Sequence, residues 1–144
     1  MQKKFIGTWL LQDYQIVTEA GSHFSYPYGQ AVQGTLLYTP TGRMAAVLMD
    51  PNRPAFQIPN KFKGTAEEVK TAFRRYTSYS GTFAVEGNEV IHQVDMALFP
   101  NWVDTSLRRY FQFQKKESEL LLTTAPFALK DGTKVLHQLL WKRM

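Results

Sequence analysis

Apolar and polar positions alternate with period two along most of the chain, the spacing of strands that bury one face. The clearest case is 79–98. Tyr79, Gly81, Phe83 and Val85 alternate with Ser80, Thr82, Ala84 and Glu86; beyond Gly87-Asn88, Val90, His92, Val94, Met96 and Leu98 alternate with Glu89, Ile91, Gln93, Asp95 and Ala97. Gly87-Asn88 suits a two-residue hairpin loop, which sets the register. Glu86 then faces Glu89, Phe83 faces His92, Gly81 faces Val94 and Tyr79 faces Met96. The first set is apolar and is expected to face inward, so His92 points in and Asp95 points out.

The same alternation, cut by turn residues, predicts eight strands. They run over Gly7–Val17, Gln33–Tyr38, Arg43–Met49, Tyr79–Glu86, Glu89–Leu98, Thr105–Gln114, Glu119–Thr124 and Thr133–Lys142. Residues 50–64 carry three prolines and read as loop. Thr65 with Glu68 has capping-box spacing. Val69, Ala72, Phe73 and Tyr76 then recur at helical spacing, predicting one helix over about 66–77. The expected fold is all-β: an eight-stranded antiparallel up-and-down barrel, one domain over 1–144, with the helix between strands three and four. Closing the sheet removes its exposed edges and leaves an interior that side chains fill or that holds one small ligand.

In the sixth strand, Leu107, Arg109, Phe111 and Phe113 share the apolar face, so Arg109 points inward beside His92. A buried guanidinium stays charged and needs partners. Those partners are a carboxylate, carbonyls, water or a ligand anion, and Asp13, in phase with Trp9 and Leu11, is a candidate carboxylate; a polar network with water is the bland alternative to a ligand site. For strands two and three, Leu37, Met44 and Leu48 group on one face and Leu36, Tyr38, Val47 and Met49 on the other. Both faces are apolar, and the inner one stays open.

Composition narrows the function classes. Ten Phe, seven Tyr and three Trp exceed what a small core needs and fit either an aromatic-lined cavity or the strand preference for aromatics. With no cysteine there is no disulfide, thiolate metal site or thiol nucleophile; this fits a reducing, cytoplasmic compartment. Met1–Gly7 lacks an apolar signal region, and no run reaches membrane-spanning length. The net charge of +5 comes from scattered pairs rather than a stripe, so nucleic acid is not an expected partner. His23, His92 and His137 lie on separate segments without metal-ligand spacing. His137 is in phase with Val135, Leu139 and Trp141, so it too is a candidate inward residue. No nucleophile elbow, phosphate loop or inward carboxylate pair is present, and no cofactor is expected.

What remains is a cavity lined by Tyr79, Phe83, His92, Met96, Trp102, Arg109 and Phe111. The expected partner is a small, largely hydrophobic molecule, with Arg109 and Tyr79 anchoring a carboxylate or carbonyl. The alternative is a cofactor-independent isomerase or cyclase, with His92 as general acid or base and Arg109 stabilising an oxyanion. Tyr26 and Tyr28 flank Pro27 as a mouth lid or a packed turn. Pro100 ends the fifth strand, leaving Trp102 to roof the cavity or seal the rim.

Several stretches resemble a known family. Gly7-Thr8-Trp9 is similar to the opening Gly-X-Trp element of lipocalins, in which a basic residue of the last strand packs on that Trp; Arg143 is placed to do so here. "SYPYG" (25–29), "GTLLYTPTGRMAAVLM" (34–49), "YTSYSGTFAVEGNEVIHQVDMALFPNW" (76–102), "RRYFQF" (108–113) and the closing "LLWKRM" resemble the small lipocalin-like domain family of bacteria and fungi, over essentially the whole chain. Thr41 stands where that family usually has Asp, a change confined to a turn. The resemblance implies a calycin-type barrel holding a small hydrophobic molecule. Some members of this kind occur as cyclases or isomerases in natural-product pathways.

Overall fold

The computed structural model describes residues 1–144. Its strands are β1 (Gly7–Thr18), β2 (His23–Ser25), β3 (Gln33–Tyr38), β4 (Arg43–Met49), β5 (Tyr76–Glu86), β6 (Glu89–Ala97), β7 (Ser106–Gln114), β8 (Glu119–Thr123), β9 (Phe127–Ala128) and β10 (Lys134–Arg143), with one helix, α1 (Ala66–Arg74), between β4 and β5. Strands β1, β3, β4, β5, β6, β7, β8 and β10 pair antiparallel in that order, and β1 pairs again with β10. The sheet is therefore a closed eight-stranded barrel. Two short strands not expected from the sequence, β2 and β9, pair with the ends of β1 and β10 at the barrel rim.

Turn length decides which faces look inward. The β5–β6 loop is Gly87-Asn88, with Gly87 at φ 58°, and Phe83 pairs with His92 as expected. The β3–β4 turn is Pro40-Thr41-Gly42, three residues, with Gly42 in the left-handed region at φ 87°. An odd loop pairs Leu36 with Ala46 and Tyr38 with Met44. Leu36, Tyr38, Met44, Ala46 and Leu48 are buried, while Leu37 and Val47 are exposed. This corrects the sequence grouping, which was one residue out of phase and set Leu37 beside Met44.

Two bulges overturn further expectations. In β6 the pairing slips after Gly81–Val94, so that Ser80 faces Met96 and Tyr79 faces Ala97. A Cβ on Gly81 would lie 1.8 Å from the Gln93 carbonyl oxygen, so only glycine admits this approach. Asp95 and Met96 consequently both lie outside: Asp95 pairs with Arg43, and Met96 is 60% exposed. In β1 the register slips between Leu11 and Asp13. The inward phase passes to Tyr14, and Asp13 turns outward to accept from Gln15 Nε2. Asp13 is not the partner of Arg109.

The helix has the expected capping box, with Thr65 Oγ1 accepting from the Glu68 amide and Glu68 Oε1 accepting from the Thr65 amide. It ends at Arg74 rather than 77, because Tyr76 already belongs to β5. None of its residues is fully buried; Val69 and Phe73 are exposed.

One barrel end is plugged. Phe5 is completely buried, with its ring edge-on to Tyr38, Phe111 and Phe113 and tilted against Phe83. Trp9 Nε1 donates to the Phe5 carbonyl at 2.8 Å. Arg143 stacks on Trp9, 4.1 Å from the ring centroid, and donates to the carbonyls of Ile6, Lys4 and Glu117.

Candidate functional site

The interior toward the other end is not filled. A cavity of about 130 Å³ remains among β1, β3, β4, β5, β6, β7 and β10, the 122–124 stretch and Trp102. Leu36, Ala46, Leu48, Leu122, Leu139 and Trp141 form its apolar walls; Tyr14, Tyr79, His92, Arg109 and His137 supply its polar and titratable groups. No Asp or Glu lines it. The volume approaches the space of about 150 Å³ that accommodates one benzene ring. A wider depression of about 570 Å³ lies under the 50–64 loop. It is shallow and open, and its Arg53 is occupied by the Ala72 carbonyl and the Tyr76 ring.

His92 is 1% exposed and has both ring nitrogens engaged. Nε2 lies 2.7 Å from Tyr38 Oη and Nδ1 lies 2.9 Å from Tyr79 Oη. Burial, with a smaller contribution from the charge on Arg109, pushes its pKa from 6.5 down to about 3, so the ring is neutral. Burial likewise raises Tyr79, and raises Tyr38 far above the usual phenol range, so both keep their protons.

Across the cavity, Tyr14 Oη and His137 Nδ1 lie 2.7 Å apart, and Phe127 stacks on the His137 ring. Burial lowers His137 and raises Tyr14. Tyr28 packs edge-on to Tyr14. Arg109 is half-buried amid these rings and forms no salt bridge; its hydrogen bond goes to the carbonyl of its neighbour Arg108 at 2.9 Å. Its charge is felt by Tyr14, Tyr38, Tyr79, His92 and His137 alike. Trp141 Nε1 is a buried donor without any partner.

Of the residues expected to line the site, the structure brings together Tyr79, His92, Arg109 and Trp102. Trp102 sits on the short 3-10 turn Pro100–Trp102 and packs edge-on to Tyr79. Phe83 and Phe111 point inward but belong to the plug around Phe5. Met96 is outside, turned away by the β6 bulge. Tyr14 and Trp141 were missed. Tyr14 sits out of phase with Trp9 and Leu11, which only the β1 bulge explains. Trp141 carried a signal in its inward phase with His137.

Known proteins similar to this chain include one family, one relative and two solved structures. The description "lipocalin-like domain" matches residues 6–144. The 4'-hydroxy-3'-methoxypropiophenone carrier protein ppsC of Aspergillus oryzae is 31% identical over 109 residues, which span 70% of this chain and 96% of that protein. Among solved structures, a lipocalin-like protein of Bacteroides uniformis aligns over 98% of this chain and 99% of its own at 13% identity and a TM-score of 0.47. An uncharacterised protein of Bacteroides eggerthii aligns over 97% and 99% at 12% identity and a TM-score of 0.46.

Proposed function

We propose, from the premise that this chain belongs to the lipocalin-like domain family, that it binds a small single-ring aromatic molecule bearing a carbonyl or anionic oxygen inside its barrel. The observation that carries this reading is an apolar, partly aromatic cavity of about 130 Å³ containing a guanidinium and no carboxylate. The volume suits one ring rather than an enclosed long chain or polycycle. The apolar walls cover the ring, and Arg109 and Tyr79 receive its oxygen. A relative described as a carrier of a hydroxy-methoxyphenyl ketone supports the same chemistry, one aromatic ring with a carbonyl and a phenol oxygen. His92 gives little support to the isomerase or cyclase alternative: a ring with both nitrogens taken and its basicity pushed so far down is a poor proton acceptor at neutral pH.

The test is calorimetric titration and thermal melting with 4'-hydroxy-3'-methoxypropiophenone, smaller aryl ketones and a long-chain fatty acid. Ligand at one hundred times its Kd stabilises the native state by about 2.7 kcal/mol. Aryl ketones are expected to raise the melting temperature and the fatty acid to leave it unchanged. A panel in which no aromatic compound binds would end this reading.

A further inference from the structure

Arg109, Trp141 and the Tyr38–His92–Tyr79 chain carry information about which form of a ligand is held. A neutral imidazole offers one N–H and one lone pair. His92 therefore donates to one tyrosine and accepts from the other. Tyr38 is 2% exposed, and its hydroxyl has His92 as its partner. If His92 Nε2 carried the proton, the Tyr38 O–H would be a donor locked in the plugged end with nothing to meet, a costly arrangement. Tyr38 must then donate to Nε2. The imidazole proton sits on Nδ1 and is given to Tyr79 Oη, which leaves the Tyr79 O–H free in the cavity that Tyr79 lines.

The groups without a protein partner then include three sets of donors: the Tyr79 O–H, the buried Trp141 Nε1–H and the remaining N–H groups of Arg109. The titratable groups facing Arg109 are Tyr14 from β1, Tyr38 from β3, Tyr79 from β5, His92 from β6 and His137 from β10; β4 and the 122–124 stretch present none. All five are neutral at neutral pH, so the cavity holds one net positive charge.

We propose that the site takes its ligand as an oxyanion, the phenolate, enolate or carboxylate of a small aromatic compound. This rests on the binding reading above and sharpens it. A fixed cation with no counter-ion favours the ionised form of whatever acid sits beside it. Tyr79, Trp141 and Arg109 are the recognition groups. His92 and Tyr38 are positioning residues that aim the Tyr79 proton into the cavity.

The probe pair is 4-hydroxyacetophenone and its non-ionisable methyl ether, 4-methoxyacetophenone. Phenolate absorbs at longer wavelength than phenol, so the spectrum of the bound probe reports its charge. The bound phenol is expected to titrate at least about one pH unit below its value in free solution, the size of shift an opposite charge at close range produces. The shift should vanish in Arg109→Met and in Arg109→Gln. Binding of both compounds with no shift, or a shift that persists in both variants, overturns this inference and leaves the binding reading standing. Failure of both compounds and of the wider panel to bind overturns both. The ¹⁵N shifts of His92 should report a neutral ring protonated at Nδ1, and Tyr38→Phe should move the proton toward Nε2 and weaken phenolate binding several-fold without touching the ligand. A ring protonated at Nε2 in the unmodified protein would contradict the assigned direction.

Discussion

The two ends of the barrel each hold an arginine among aromatic rings, and they treat it in opposite ways. At the plugged end Arg143 stacks on Trp9 and satisfies three backbone carbonyls. Every group there has a partner, and Phe5 fills the space that would otherwise be a void. At the other end Arg109 has one neighbouring carbonyl, no carboxylate and an unfilled space before it. A protein interior selected only for stability does not leave a guanidinium and an indole N–H unmatched around a cavity. The plugged end shows what this sequence does when the task is folding, and the other end departs from that pattern in the way the proposed ligand site requires.

The largest test of that contrast is removal of the plug. Phe5→Ala deletes a completely buried ring touching four other aromatics, and about 3–5 kcal/mol of stability should be lost in urea unfolding. Ligand binding by the protein that remains folded should persist. If Phe5→Ala instead abolished binding at little cost in stability, the division between the two ends would be wrong.

Acid should come next in size. Unfolded His92 takes a proton below about 6.5, whereas the folded ring resists until about 3. The unfolded state thus binds more protons between those values, and stability rises with pH across the window. Lowering the pH from 6.5 to 4.5 should cost about 2 kcal/mol through His92, with His137 adding in the same direction. His92→Gln should flatten the slope of unfolding free energy against pH. An unchanged slope would mean that His92 titrates normally and that the Tyr38–His92–Tyr79 chain is not as tightly enclosed as the distances imply.

The two arginines can be set directly against each other. Arg143→Met strands three carbonyls and an indole face, with an expected loss of about 1–2 kcal/mol. Arg109→Met removes a half-buried charge that pairs with no carboxylate. Its stability should be unchanged or rise by up to about 1 kcal/mol, while affinity for an anionic aromatic ligand falls. Equal destabilisation by the two variants would show that Arg109, like Arg143, serves the fold.

Much of this was legible in the sequence. The eight main strands and the inward aim of His92 and Arg109 follow from period-two alternation and turn chemistry, the capping box follows from the Thr65–Glu68 spacing, and the packing of Arg143 on Trp9 was implied by the resemblance to lipocalins. The misassigned faces share one physical reason, the parity of a strand. A three-residue loop at Pro40–Gly42 exchanged the faces of β3 and β4 relative to the grouping made from alternation alone. A single extra residue in β1 turned Asp13 out and Tyr14 in, and another in β6 turned Met96 out. The filling of the plugged end was hidden differently. Phe5 lies outside any strand, just after a short 3-10 turn over Gln2–Lys4, and nothing in alternation tells where such a turn returns the chain into a barrel mouth.

The smallest expected effect tests that parity argument most sharply. Strict alternation in 90–98 puts Met96 in the cavity, where Met96→Ser would empty an apolar wall and cost about 2 kcal/mol or more together with ligand affinity. The β6 bulge puts it on the outer surface, next to Asp95 and 60% exposed. Surface substitutions of that kind stay within about 0.5 kcal/mol. Met96→Ser should therefore leave both the unfolding midpoint and the affinity for an aryl ketone unchanged. A clear loss of both would mean that β6 runs without its bulge, that Tyr79 faces Met96 rather than Ala97, and that the hydroxyl of Tyr79 no longer sits against His92 where the recognition argument needs it.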